Sequence, residues 1–417
     1  MKLEQMGSLR RTHTCGALQK EDAGTEAVLM GWVHHRRDLG GLFFIDLRDK
    51  YGTTQVVFRP DDNQELHAKA GELGAEYVVA VRGKVSERPE GTINPDLPTG
   101  EVELIARELI VLNASLTPPF VLEEPVKASD ELRLEYRYLD LRRPHMQRLI
   151  EARHVAAQTT RAYLTEQGFT EIETPLLAKK TPEGARDFVV PSRLYPGKVY
   201  ALPQSPQLYK QILMVGGCDR YFQIARCLRD EDLRTDRQPE HTQIDFEMSF
   251  VTEDDVFGVA EGLMQSIWRA VRGDELTVPF PRLAYRDAMQ RFGTDKPDVR
   301  FGMEIVDLTD AVRESEFRVF RATIEDGGVV RCLNASGCAG WSRKDIDTKE
   351  VLAKKWGAKG LAWAKVECEG LAGGISKFLS EGEVATILER ASATDGDIIL
   401  FVADRQSTVA RVLGKLR

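Results

Sequence analysis

The sequence predicts a multidomain α+β protein. A small closed β-barrel comes first, a unit of antiparallel sheet and helices follows, and an α/β region closes the chain. Three observations predict this. Short segments rich in β-branched and aromatic residues, punctuated by glycine, crowd residues 26–113. One long stretch with 3–4-residue apolar spacing follows at 144–167. Beyond residue 283, short helical and strand patterns alternate.

The barrel strands are expected at 26–33, 42–49, 53–58, 77–85 and 101–111, with Gly40, Gly41 and Gly52 as turn residues. Five strands in so short a span fit the OB type of barrel. Residues 116–130 contain Pro118, Pro119 and Pro125 and cannot continue a helix or a central strand, so they read as a linker. A helix over 144–167 then ends at Gly168, with Leu149, Ala152, Ala156, Thr159 and Tyr163 as its buried stripe. The expected organisation is a barrel domain (1–115), a linker or hinge (116–143), a core (144–282) and a last domain (283–417).

At 417 residues the chain is long enough for two or three separate cores. No apolar run approaches the roughly 20 residues that span a bilayer, and the first residues have no apolar segment like that of a signal peptide. The six cysteines are scattered without a C-x-x-C pair, which points to reduced thiols of a cytoplasmic protein and to no metal site. A net charge of −8 argues against a general nucleic-acid coat protein. Residues 1–60 nevertheless carry nine Lys/Arg against seven Asp/Glu, so this segment repels phosphate least.

Within the strand at 42–49, Phe43, Ile45 and Leu47 share one face, while Phe44 shares the other with Asp46 and Arg48. An aromatic ring on the polar face of a barrel strand is a platform on which a nucleic-acid base can stack. The basic turn His34-His35-Arg36-Arg37 before it suits phosphate or base edges. A cross-strand aromatic pair beside a solvated turn is the other reading.

Residues 221–229 and 241–250 form a second pair of strands around a highly charged connector. Ile244, Phe246, Met248 and Phe250 alternate with Gln243, Asp245, Glu247 and Ser249, which assigns one face to a core and the other to a polar surface. Arg229 closes the first strand. A hairpin with an arginine at its inner edge and carboxylates opposite suits a cleft for a nucleotide and an amine, because the guanidinium is a planar, permanently charged fork. A solvated hairpin with surface ion pairs is the alternative.

These residues also carry a family resemblance. Residues 222–231 (FQIARCLRDE) and 237–247 (RQPEHTQIDFE) resemble motif 2 of the class II aminoacyl-tRNA synthetases, and 168–175 (GFTEIETP) resembles motif 1. Residues 181–187 (TPEGARD), 201–210 (ALPQSPQLYK) and 136–142 (YRYLDLR) narrow this to the aspartyl enzymes of bacterial type. Residues 31–40 (GWVHHRRDLG) resemble their anticodon-binding barrel, and 283–417, beginning near 291–298 (RFGTDKPD), their insertion domain.

The resemblance implies ATP-dependent ligation of L-aspartate to tRNA(Asp), with tRNA(Asn) as a further possible acceptor, by a homodimer joined through the motif 1 region. Arg229 would bridge the ATP α-phosphate and the substrate carboxylate, with Asp230, Glu231 and Gln238 also on the ATP side. Lys210 would pair with the β-carboxylate of aspartate. Gln207 and Ser205 would hydrogen-bond the amino acid, and Glu183 and Asp245 would accept from its ammonium group. In the barrel, Phe44 would stack on the central anticodon base while Arg37, Gln55 and Glu103 read base edges. ATP would be a substrate, with Mg2+ bridging its phosphates.

One departure stands out: no Gly-rich strand and helix carrying the arginine of motif 3 is found before Arg417. The expected class II sheet is therefore incomplete, which puts adenylation by residues 1–417 alone in doubt. The rival expectation is a tRNA-binding relative that has lost adenylation.

Overall fold

A computed structural model describes residues 2–181, 184–235, 237–368 and 370–417, in two compact units, Met1–Pro279 and Phe280–Arg417. The first unit opens with strands β1 (Glu26–Leu39), β2 (Leu42–Asp49), β3 (Gly52–Phe58), β4 (Val78–Glu87) and β5 (Val102–Asn113), with helix α1 (Gln64–Gly71) between β3 and β4. They close into a barrel of order β1-β2-β3-β5-β4, in which β3 and β5 pair in parallel. The inward-facing alternate residues, among them Leu29, Val33, Ile45, Leu47, Val56, Val85 and Leu104, are fully buried. At Gly31 a Cβ would meet the Arg48 carbonyl oxygen at 2.3 Å, so only glycine allows this close approach of two strands.

Two features of the barrel differ from the sequence reading. Residues 34–37 form no turn: after a bulge at Val33/His35, β1 runs on, pairing Arg37 with Phe44 across β2. The turn lies at Gly40 and Gly41 alone, as the glycine punctuation predicts, and their φ of 63° and 80° suit the right-handed twist of a two-residue hairpin. Helix α1 was not foreseen. It is short, mostly polar and started by the Asn63 side chain, which accepts from the Leu66 amide.

The linker is not wholly irregular, since it contains α2 (Asp130–Glu135) and α3 (Arg137–Asp140). Asp140 is fully buried and accepts from Arg133 at 3.1 Å, Arg137 at 2.6 Å and Arg143 at 2.6 Å. Burial alone would raise its carboxyl pKa, but the hydrogen bonds from Arg143 and Arg133 outweigh this and hold it below the usual range. Arg142 donates to Glu76 at 2.7 Å, Glu76 also takes Arg48 at 2.8 Å, and the Arg142 guanidinium lies over Trp32. The 136–142 block thus clamps the linker onto the barrel.

Helix α4 (Pro144–Glu166) begins on its proline and is followed by Gly168 at φ 80°. Then come β6 (Thr170–Glu171), β7 (Val189–Pro191), β8 (Val199–Ala201), α5 (Gln207–Val215), β9 (Arg220–Leu228), β10 (Glu240–Met248) and α6 (Glu253–Arg272). The sheet order is β10-β9-β6, with β10 antiparallel to β9. Leu164, Phe169, Phe222, Val259 and Leu263 form its core, against which Phe246 packs edge-on to Phe169.

Two predicted faces need correction. On α4 the buried residues are Met146, Thr160 and Leu164, whereas Leu149 is half exposed. On β10, Ile244 is exposed while Asp245 is buried, and Phe250, expected on the same strand, lies beyond its end and is exposed. Among the described residues β10 is the edge of its sheet, and the helices cover only part of its apolar face.

The second unit contains α7 (Tyr285–Arg291), β11 (Val306–Asp307), α8 (Arg318–Glu325), β12 (Val329–Ala335), α9 (Arg343–Lys355), β13 (Ala362–Glu367), β14 (Gly370–Ala372), α10 (Glu381–Arg390), β15 (Ile398–Asp404) and α11 (Gln406–Leu416). Its sheet is antiparallel with order β11-β12-β15-β13-β14. Along β15, Ile398, Leu400 and Val402 enter one core and Ile399 and Phe401 the other, so both faces are covered.

Candidate active site and nucleic-acid interface

Helix α5 places Gln207 and Lys210 one turn apart on the same side. Lys210 reaches across to β10, donating to Asp245 at 2.9 Å and lying 3.1 Å from Glu247. Its side chain is mostly buried. Burial alone would lower its pKa, but the bonds and charges of Asp245 and Glu247 offset this and raise it above the usual lysine value. The second oxygen of Asp245, Oδ2, is buried and has no hydrogen-bond partner among the described residues. An uncompensated buried carboxylate oxygen is costly, and a ligand ammonium is the kind of group that would satisfy it. Beneath it, Tyr221 is fully buried and donates to Gln223, which also accepts from Thr174. Burial and then the Asp245 charge push the Tyr221 hydroxyl well above its ordinary pKa, so it stays a neutral donor.

Arg229 follows β9. Its Nε donates to the Gln204 carbonyl at 3.3 Å, and its amide donates to Pro239 at 2.8 Å. Among the described residues it has no carboxylate partner, so its fork is open to an anionic ligand. Asp230 and Glu231 line a cleft of about 300 Å³ with Gly184, Arg186 and Arg237. Asp230 lies 3.7 Å from Arg186, and Glu231 accepts from Arg237 at 2.7 Å. Ser205 lies between Gln204 and the start of α5. Gln238 is exposed on the connector. Glu183 lies outside the described residues.

In the barrel, Arg37, Phe44, Gln55 and Glu103 come from four strands onto one outer face. Arg37 donates to Asp46 at 2.6 Å and to Gln55 at 3.3 Å, and Gln55 donates to Glu103 at 3.0 Å. Phe44 stands directly opposite Arg37 and is half-buried, and among the described residues no ring lies against it. The cross-strand aromatic pair is therefore not formed. Phe43, on the core face, is the ring with a partner, stacking on His67 at 4.5 Å.

The sequence reading missed three contributors. Asp46 orders Arg37, and Glu247 is a second carboxylate on Lys210. Both sit two residues from a named position on the same strand face, so the alternation already held the signal. Gln204 is buried and bonded to Ala185 and Asp187, and no local pattern announces that.

A profile described as tRNA synthetases class II (D, K and N) matches residues 129–405, and one described as OB-fold nucleic acid binding domain matches 27–112. The chain belongs to the class II tRNA synthetases. Among relatives of this synthetase, an aspartate–tRNA(Asp/Asn) ligase of Desulfotalea psychrophila is 54% identical, covering 100% of this chain and 68% of the relative. Ligases of the same name from Moorella thermoacetica and Aquifex aeolicus are 55% and 52% identical, each match covering 100% of this chain and 69% of the relative. The solved asparaginyl-tRNA synthetase of Pyrococcus horikoshii with asparaginyl-adenylate shares the synthetase fold, with a TM-score of 0.56 at 19% identity, covering 97% of this chain and 95% of that one.

Proposed function

We propose that this synthetase joins L-aspartate to tRNA(Asp), and to tRNA(Asn) as a second acceptor, through an aspartyl-adenylate. The observation that carries this reading is the mostly buried Lys210, held between Asp245 and Glu247 beside an Asp245 oxygen left unsatisfied among the described residues. A lysine selects a β-carboxylate, and the carboxylate oxygen awaits the ammonium group of the same amino acid. Relatives matched over this whole chain are named for both acceptors, and as ligases they give no support to a binding protein without adenylation.

In the first step an oxygen of the aspartate α-carboxylate attacks the α-phosphorus of ATP, and pyrophosphate leaves with the broken P–O bond. In the second, a terminal ribose hydroxyl of the tRNA attacks the acyl carbon, and AMP leaves. Arg229 spans the two reacting anions and stabilises charge as it shifts between them. The rest is positioning: Gln207 and Ser205 on the amino acid, Asp230, Glu231 and Gln238 on the nucleotide, and Glu183 on the ammonium group. Mg2+ would arrive with ATP and neutralise phosphate charge. Such an ion keeps waters and takes few carboxylates. The barrel face takes the anticodon, with Phe44 stacked on its central base and Arg37, Gln55 and Glu103 on base edges. The exposed Leu149 and Ile150 of α4 favour a homodimer through the motif 1 region.

The test is ATP–pyrophosphate exchange by the intact enzyme with aspartate, asparagine and lysine in turn, followed by acylation of tRNA(Asp) and tRNA(Asn) transcripts. Exchange that depends on aspartate alone is expected. Exchange driven by asparagine or lysine instead would refute the assignment of Lys210.

A further inference from the structure

Three backbone segments meet behind Arg229. The Leu228 amide donates to Pro203 at 2.9 Å, Leu202 donates to Phe188 at 2.8 Å, and Asp230 donates to Arg186 at 3.0 Å. Residues 184–188, 202–204 and 228–230 are thus tied pairwise, and the Gln204 side chain bonds directly to the first of them. It is 1% exposed. Its Nε2 donates to Asp187 Oδ1 at 2.6 Å and to the Ala185 carbonyl at 2.9 Å, and its Oε1 accepts from the Ala185 amide at 3.2 Å. Its own carbonyl takes the Nε of Arg229.

We propose that Gln204 is a positioning residue that couples the 184–187 segment to the aim of Arg229. An arginine held at Nε has its guanidinium plane set, and its two Nη atoms then point as a fork at an anion. The anchor is a carbonyl of the same residue whose amide is fully occupied by 185–187. Displacing that segment therefore shifts the peptide that sets the fork, and a shift of the fork reaches the segment in return. Only an amide fits, because the position needs two donors towards Ala185 and Asp187 and one acceptor from Ala185. A carboxylate of the same shape supplies no donor and stands against Asp187.

The proposal rests on the adenylation reading above, and the experiment separates the two. Gln204→Glu is near-isosteric, so the fold is retained. In aspartate-dependent ATP–pyrophosphate exchange it is expected to lower kcat at least tenfold, with KM for aspartate within about threefold, because the fork acts on the moving charge and Lys210 is untouched. Adding Asp187→Asn, which restores a donor opposite the new carboxylate, is expected to recover part of that loss. A purely structural defect would instead grow with the second substitution. In parallel, hydrogen exchange at the Ala185 and Asp230 amides is expected to accelerate at least tenfold in Gln204→Glu and to slow again in the double variant. Unchanged kcat, or a loss that Asp187→Asn does not relieve, overturns the coupling. If the unsubstituted enzyme shows no exchange with aspartate, the functional reading fails on its own. The amide rates then decide the coupling, and unchanged protection refutes it.

Discussion

The barrel face and the motif 2 pocket solve opposite problems with the same residue types. On the barrel, Arg37, Asp46, Gln55 and Glu103 satisfy one another in a chain over a closed, fully packed core. In the pocket, Arg229 has no carboxylate partner among the described residues, and Asp245 keeps a buried oxygen unsatisfied on an edge strand. Closure of the barrel removes edges and fixes the face without a ligand. The pocket leaves the Arg229 fork without a carboxylate and one Asp245 oxygen without a hydrogen bond among the described residues, and the proposal is that the substrate completes both. On that proposal, the difference separates a surface ordered before binding from one finished by it.

The sharpest way to break this contrast is Arg229→Lys. A lysine has no planar fork to hold two anions at once, and losing such a charge contact lowers rate by about 10²–10³. Aspartate-dependent pyrophosphate exchange should fall that far while tRNA affinity, measured by filter binding, stays unchanged. A fall in tRNA affinity would show that the two regions are not independent.

Lys210→Met tests the pocket as a charge balance. Asp245 and Glu247 would be left without their cation, and removing one partner of a buried pair costs about 3–5 kcal/mol. Denaturant unfolding should detect that loss, and exchange with aspartate should be lost. Activity within a few-fold of the unsubstituted enzyme would mean that Lys210 does not face the substrate.

On the barrel side, Phe44→Ala should weaken tRNA binding by about 1–3 kcal/mol, the worth of one stacked base, and leave pyrophosphate exchange alone. Equal tRNA affinity for the two proteins would remove the stacking role.

The remaining expectation is a pH dependence confined to the barrel. Burial, then the charges of Arg48 and His35, depress the His34 pKa from 6.5 to about 4. The unfolded chain therefore takes up a proton first as pH falls, so His34 contributes stability above pH 6.5 that is lost progressively down to about pH 4. His34→Gln should flatten the fall in stability across that window relative to the unsubstituted protein. Parallel curves would assign the fall to other groups.

Much of this was legible in the sequence. Strand β2 falls where alternation placed it, α4 runs between Pro144 and Gly168, and Phe44 was singled out by its face alone. Local periodicity encodes which side chains share a face, since that depends only on the element's own geometry. Which face becomes covered depends on neighbours far along the chain, and there the reading failed. Residues 34–37 are strand because β2 supplies partners for them. Ile244 is exposed because the core from α4 and α6 takes only Phe246 and Met248, and Asp245 on the other face is covered by Lys210 of α5. The contact of Lys210 with Asp245 spans 35 positions, and that of Gln55 with Glu103 spans 48. Gln204 joins segments that no local pattern connects. Sequence alone determined the elements and the chemistry they carry. Pairing register and burial, which are properties of the assembled fold, decided which of those groups meet and which are left open for a ligand.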